Sequence, residues 1–432
     1  MHINEIYQVY LRYPKITTDT RKIEADSIFL ALKGESFNGN SFADQALLLG
    51  ARYVIIDEPA YKKDERYILV NNVLTTLQEL ATHHRNQLKI PIIGITGTNG
   101  KTTTKELIYS VLKQRFKTFA TLGNLNNHIG VPLSILSIDP NIEIAIIEMG
   151  ANHQGEIAFL STISKPNYGL ITNVGRAHLE GFGSYEGVKK TKAELYNWLA
   201  NHDGVLFLQS DNPELVKMAN NFNFKEVIKY GYHSTNDIFG ELLANDPLLR
   251  LKWDYKSKSS SAKTQLTGAY NVENILAAIS IGCYFGLSEE EINKGLADYK
   301  PQNNRSQVLK TENNTIICDF YNANASSMKA ALENIQNIQT DLNKTVILGD
   351  MFELGDESAS EHRKLIEQTR ILKDIDCIFI GKEFYQQKDS HALFFETTEE
   401  AVDSLKNMYL KDKLILLKAS RGMAFEKILN VL

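Results

Sequence analysis

Lys101 and Thr102 lie in the run Thr96-Gly97-Thr98-Asn99-Gly100-Lys101-Thr102-Thr103-Thr104, whose residue types could hold a polyphosphate. Gly97 and Gly100 let backbone N–H groups turn toward an anion, and a following helix would add partial positive charge. Lys101 would reach the outer phosphates, and the Thr102 hydroxyl would hold magnesium. The apolar run Ile90 to Ile95 reads as a buried strand, and helical spacing begins at Thr102 and continues to Leu112. That is the strand–loop–helix setting such a loop requires. Strict spacing asks for glycine at position 95, where Ile95 stands, so the loop is a Gly-x-x-Gly-Lys-Thr variant. A glycine turn without a ligand is the competing account.

Further polar groups sit where ligands gather. Ile142 to Ile147 is a nearly unbroken apolar run ending at Glu148, and Tyr168 to Thr172 ends in Asn173-Val174-Gly175-Arg176-Ala177-His178. Such runs mark central parallel strands, and the carboxyl ends of those strands are where open α/β sheets bind ligands. Glu148 and His178 are therefore candidate metal or phosphate contacts behind the loop. The stretch Gly123-Asn124-Leu125-Asn126-Asn127-His128-Ile129-Gly130-Val131-Pro132 is too polar to pack a core and reads as a hydrogen-bonding loop.

Three α/β units are needed to position these groups. Residues 1–88 carry strands at Ser27–Leu32 and Tyr53–Ile56 and helices at Phe42–Leu49 and Thr75–Gln87, with the polar turn Thr18-Asp19-Thr20-Arg21 before them. Residues 89–302 hold the phosphate loop, a charged helix from Tyr185 to Leu199 containing Lys192, and hairpin material at 236–266. An apolar helix (Ile275–Phe285) and a helix capped by Ser288 complete this unit. Residues 303–432 alternate strands and helices, which implies a second parallel, Rossmann-like sheet. Polar segments Asp319–Asn324, Gly349–Gly355 and Ser420–Gly422 end its strands, and together they predict a site facing the second unit.

Composition narrows the class. A chain of 432 residues exceeds what one core supports. A formal net charge of −5 with no long basic tract argues against a nucleic-acid or membrane-surface role. Three widely spaced cysteines suit reduced thiols in the cytoplasm, and no apolar run is long enough to span a bilayer.

Thr96-Gly97-Thr98-Asn99-Gly100-Lys101-Thr102, Asn173–His178 and Gly268-Ala269-Tyr270-Asn271-Val272-Glu273-Asn274 occur in the order seen in the Mur ligases of peptidoglycan synthesis, and the whole chain resembles that family. The segments at 123–132, Tyr321-Asn322-Ala323-Asn324 and Leu348–Gly355 resemble the branch acting on D-alanyl-D-alanine. The resemblance implies an ATP- and magnesium-dependent amide ligase joining that dipeptide to UDP-N-acetylmuramoyl-tripeptide through an acyl phosphate. It implies a cytoplasmic monomer that neither inserts in membranes nor binds nucleic acid.

By resemblance, Gly97 to Thr103, Asn271, Asn274 and Arg305 bind ATP. Thr102, Glu148, His178 and Lys192 lie at the metal, with Lys192 carbamylated, and Arg305 and Asp319 complete the site on domain closure. Thr20 and Arg21 match the uridine-diphosphate side, and Asn124, Asn126, Asn127, Tyr321, Asn322 and Asn324 the remaining substrate contacts. Departures from the family pattern are His128 for glutamate, Cys318 for an acidic residue, Ala325 for proline and Asn38 for aspartate. Two rivals stay open: the family member adding the third peptide residue, and an ATP-binding module without ligase activity.

Overall fold

The computed structural model describes residues 2–175, 179–408 and 410–432, so His178 lies outside the described residues. The chain builds three α/β domains, each on its own sheet. The first sheet is parallel, in the order Ile16–Thr17, Ser27–Leu30, Ala51–Ile56 and Tyr67–Leu69. Every residue of Ser27–Leu30 is buried, as the apolar run requires. The helix expected from Phe42 is shorter, Ala43–Leu48, because a 3-10 turn at Gly39–Phe42 precedes it. The next helix, Val73–Gln87, starts earlier than its apolar spacing suggests because Asn72 caps it, accepting from the Thr75 N–H at 2.8 Å.

That helix joins the first domain to the second. Arg85, almost fully buried, donates to the carbonyls of Ser164 (2.8 Å), Leu88 (3.0 Å) and Lys165 (2.9 Å) and to Asn167 Oδ1 (3.2 Å). Tyr10, from the first helix Ile3–Arg12, donates its hydroxyl to the Leu136 carbonyl at 2.7 Å.

Among the described residues the central sheet has nine strands. Ile92–Thr96 lies between Ile144–Glu148 and Tyr168–Ile171, all parallel, and Thr118–Ala120 forms one edge. Beyond Tyr168–Ile171 come Val205–Gln209, Glu226–Gly231 and Ile238–Asn245, still parallel. The hairpin region then adds Leu249–Tyr255 and Lys258–Lys263 as antiparallel strands, the latter an exposed edge. Residues 123–132 are only partly a loop: helix Gly130–Leu136 begins inside them, its first amides capped by Asn127 Oδ1 (3.1 Å to Ile129 N, 2.8 Å to Gly130 N). Asp211-Asn212-Pro213 opens the helix Pro213–Ala219, with Asn212 as its cap.

The third sheet runs Gln307–Lys310, Asn314–Cys318, Lys413–Lys418, Asn343–Gly349, Ile375–Ile380 and Leu393–Phe395. Only the first pair is antiparallel. Apolar clusters cover both faces of this sheet, so it is buried as a parallel sheet must be. The expectation that three polar strand ends share one site is corrected. Asp319, Tyr321, Asn322 and Asn324 face the central domain, whereas Asp350–Gly355 and Gly422 line a separate cavity of about 630 Å³. Asp350 is drawn away because its carboxylate caps helix Lys382–Tyr385, accepting from the Glu383 (3.0 Å) and Phe384 (3.1 Å) amides.

Candidate active site

A cleft of about 770 Å³ opens between the carboxyl ends of the central strands and the third domain. Its floor is the turn after Ile92–Thr96. Gly97 and Gly100 both have left-handed backbones (φ 144° and 80°), which side-chain-bearing residues rarely adopt. A Cβ at Gly97 would fall 2.0 Å from Thr172 Oγ1, and one at Gly100 would fall 2.8 Å from Asn274 Oδ1. Lys101 opens the helix Lys101–Leu112 and donates to the carbonyls of Gly97 (2.8 Å) and Thr98 (2.9 Å), which holds its ammonium inside the loop. Burial lowers its pKa and so does Arg305, while Glu148 acts to raise it.

Glu148, at its strand's end, is 1% exposed. Its carboxylate accepts from Thr102 Oγ1 (3.0 and 3.3 Å) and from Asn126 Nδ2 (2.8 Å). Hydroxyl and carboxylate oxygens side by side are the hard donors magnesium prefers, so these residues fit the ion the family resemblance implies. Lys105, 0% exposed, stands 3.7 Å from the same carboxylate and donates to the Thr121 carbonyl at 2.6 Å. Sequence reading missed Lys105, whose i+4 spacing from Lys101 was the available signal.

Lys192 reaches the cleft wall from helix Tyr185–Asn201 and lies 5.3 Å above the Phe182 ring. Burial pushes its pKa down to about 7, with the Lys101 charge adding to the effect. Asn271 and Asn274, in the first turn of Asn271–Tyr284, form a relay of amides. Thr104 Oγ1 donates to Asn274 Oδ1 (2.9 Å), Asn274 Nδ2 to Asn271 Oδ1 (2.8 Å), and Asn271 Nδ2 to the Thr267 carbonyl (2.7 Å). The relay fixes this helix against the phosphate-loop helix.

The third domain forms the opposite wall. Arg305 lies 3.5 Å over the Tyr321 ring, and Arg421 approaches the same ring at 5.4 Å. Asp319 accepts from Lys418 Nζ at 2.6 Å and from the Ser306 amide at 3.2 Å. Lys418, 2% exposed, was also missed; as the charged residue ending a buried strand it obeys the rule that found Glu148. Asn324 caps the helix Ala325–Asn337, and Asn99 bonds to it across the cleft at 2.9 Å.

Asn124, Asn126, Asn127 and His128 line one end of the cleft. The His128 carbonyl accepts from Gln78 Nε2 at 3.0 Å, so this loop also leans on the first domain. Thr20 and Arg21 do not line the cleft. They form an exposed 3-10 turn in which the Arg21 guanidinium is held by Asp19 at 2.8 and 2.9 Å.

Residues 95–282 match the family model for the Mur ligase middle domain, and residues 304–421 that for the Mur ligase glutamate ligase domain. Residues 12–92 match the model for the Mur ligase family catalytic domain. The UDP-N-acetylmuramoyl-tripeptide–D-alanyl-D-alanine ligase of Bacillus subtilis is 36% identical, over 96% of this chain and 92% of its own. A MurF structure from Acinetobacter baumannii superposes with a TM-score of 0.86 at 30% identity, covering 96% of this chain and 93% of that one. A Thermotoga maritima MurF in complex with ADP gives 0.86 at 27% identity, covering 98% and 97%. With its phosphate loop, buried Glu148 and facing Arg305 in one cleft, and three family models in order along its length, this chain belongs to the Mur ligase family.

Proposed function

We propose that this chain is an ATP-dependent ligase that joins D-alanyl-D-alanine to UDP-N-acetylmuramoyl-tripeptide in cytoplasmic peptidoglycan precursor synthesis, acting as a monomer. The observation that carries the reading is the meeting of Lys101, Thr102 and Glu148 with Arg305 and Asp319 across one cleft. The similarity to the Bacillus subtilis enzyme over nearly the whole length of both chains selects the dipeptide-adding reaction.

In this mechanism the tripeptide carboxylate attacks the γ-phosphorus of ATP, releasing ADP and leaving an acyl phosphate. The free amine of the dipeptide then attacks the acyl carbon, phosphate leaves, and the amine gives up a proton. Gly97 to Thr103 cradle the phosphates, and Lys101 and Arg305 neutralise charge as the phosphoryl group moves. Thr102 and Glu148 would hold magnesium, with His178 assigned there by family likeness; the ion, when bound, offsets phosphate charge. Asn126 and Lys105 keep the Glu148 carboxylate turned toward Thr102. Asn271 and Asn274 serve the nucleotide. Tyr321 and Asn322 face the dipeptide, Asn124 and Asn127 the tripeptide, and Thr20 and Arg21 the uridine diphosphate. Closure of the third domain keeps water from the acyl phosphate.

Lys192 carries a carbamate in the working enzyme: its neutral amine adds to carbon dioxide, losing a proton, and becomes an anion suited to a cationic site. A Lys192→Ala variant is expected to regain part of its activity with added acetate, and no recovery would remove this assignment. The reading as a whole is tested by phosphate release from ATP. Release should need both UDP-N-acetylmuramoyl-tripeptide and D-alanyl-D-alanine and should yield a pentapeptide product by mass. Release driven by the dipeptide-bearing nucleotide with a free diamino acid would shift the assignment to the preceding step.

A further inference from the structure

Asn99, Asn324 and Ser326 form a closed ring of hydrogen bonds across the cleft. Asn324 Nδ2 donates to Asn99 Oδ1 (2.9 Å), Asn99 Nδ2 to Ser326 Oγ (2.9 Å), and Ser326 Oγ to Asn324 Oδ1 (2.8 Å). Asn324 Oδ1 also caps its own helix through the Ser327 amide at 2.9 Å. Both ends of the ring are rigid. The Asn99 amide donates to Asn173 Oδ1 at 3.0 Å, and its carbonyl accepts from Thr172 Oγ1 (2.6 Å) and Asn173 Nδ2 (3.1 Å). The helix behind Asn324 is tied at its far end, where Asn334 Oδ1 accepts from Asn245 Nδ2 (2.7 Å) and the Ala269 amide (3.2 Å).

We infer that Asn324 and Ser326 are positioning residues which latch the third domain onto the phosphate loop through Asn99, and that Asn324 does not contact the incoming dipeptide. The geometry supports this directly. The Asn324 side-chain oxygen already accepts two hydrogen bonds, from Ser326 Oγ and the Ser327 amide, and its NH2 group is engaged with Asn99. Asn99 lies between the two left-handed glycines, so the ring closes only when the phosphate loop holds this conformation. Asp319 and Tyr321 sit a few residues before Asn324 on the same segment, so the latch sets their place, and that of Arg305 stacked on Tyr321, over the phosphates. The inference rests on the ligase reading for its kinetic test but not for its structural one.

Asn324→Ser keeps a good helix cap while removing the donor to Asn99, which protects the fold. Asn99→Ala removes the other side. Each variant should lower kcat for amide formation roughly tenfold, the loss of one or two hydrogen bonds, with the dipeptide KM within about twofold of wild type. Phosphate released per amide formed should rise, because an unlatched cleft admits water. The double variant should be no slower than the worse single one, since either change breaks the same ring. Small-angle scattering of the ADP-bound variants should give a larger radius of gyration than wild type. A tenfold rise in dipeptide KM for Asn324→Ser, additive with Asn99→Ala, would overturn the inference, as would unchanged scattering. If the wild type forms no amide, the ligase reading fails, and the scattering comparison still decides the latch.

Discussion

Lys192 shows how one buried residue couples burial to chemistry. Only 3% of it is exposed, and its pKa falls from the usual lysine value to about 7 because the charged form loses water and feels Lys101. In the unfolded chain the amine keeps its proton up to about pH 10.4. Between pH 7 and that value the unfolded state holds more protons than the folded one, so this group makes stability rise with pH. Below pH 7 both states are protonated and the penalty for the buried charge is present in full. Lys192→Met should therefore be more stable than wild type at pH 6, by roughly 1–3 kcal/mol, with the gap closing as pH approaches 10. Urea denaturation of both proteins in carbon-dioxide-free buffer at pH 6 and 9.5 checks the sign. Lys105 and Lys418 are buried too, and each keeps carboxylate and carbonyl oxygens close to its ammonium.

Among the elements, the phosphate loop and its helix are where local sequence and function coincide most closely. Replacing Gly100 by alanine would place a methyl 2.8 Å from Asn274 Oδ1 and force a left-handed backbone on a residue that disfavours it by about 1–2 kcal/mol. The amide relay through Asn274 and Asn271 would shift, so ADP affinity should drop at least about tenfold while circular dichroism stays native. Calorimetric titration with ADP measures it. Central strands such as Ile144–Glu148 were legible because burial on both faces leaves an unbroken apolar run. The edge strand Gln307–Lys310 was not, being half exposed and too short to alternate clearly. Helix Gly130–Leu136 was hidden because the asparagine capping it looked like part of a loop. Glu148, Arg305 and Asp319 followed from strand-end logic and family likeness. Ser326 and Lys105 did not, because each depends on a partner distant in sequence: Asn99 across the domain boundary for Ser326, and Glu148 within the central domain for Lys105.

For the whole molecule, the three domains are held by a few specific polar anchors laid over apolar contacts. Arg85 is the chief anchor of the first domain, filling four acceptors with a buried guanidinium. Arg85→Met keeps the bulk but takes the donor away from the Ser164, Leu88 and Lys165 carbonyls, while Asn167 Oδ1 retains the Ile92 amide, at a cost of about 3 kcal/mol. Scanning calorimetry should then show the first domain melting ahead of the other two, where wild type melts with them joined. The outer strand Lys258–Lys263 has a consequence of another kind, for behaviour in a crowded solution. An open strand edge is a template on which a second chain can lay its own backbone. Here serines at 259, 260 and 261 lie between two exposed lysines, and an antiparallel copy would set Lys258 of one molecule against Lys263 of the other. Like charges placed directly opposite oppose that pairing. The nine-stranded sheet thus ends in a border that discourages its own extension.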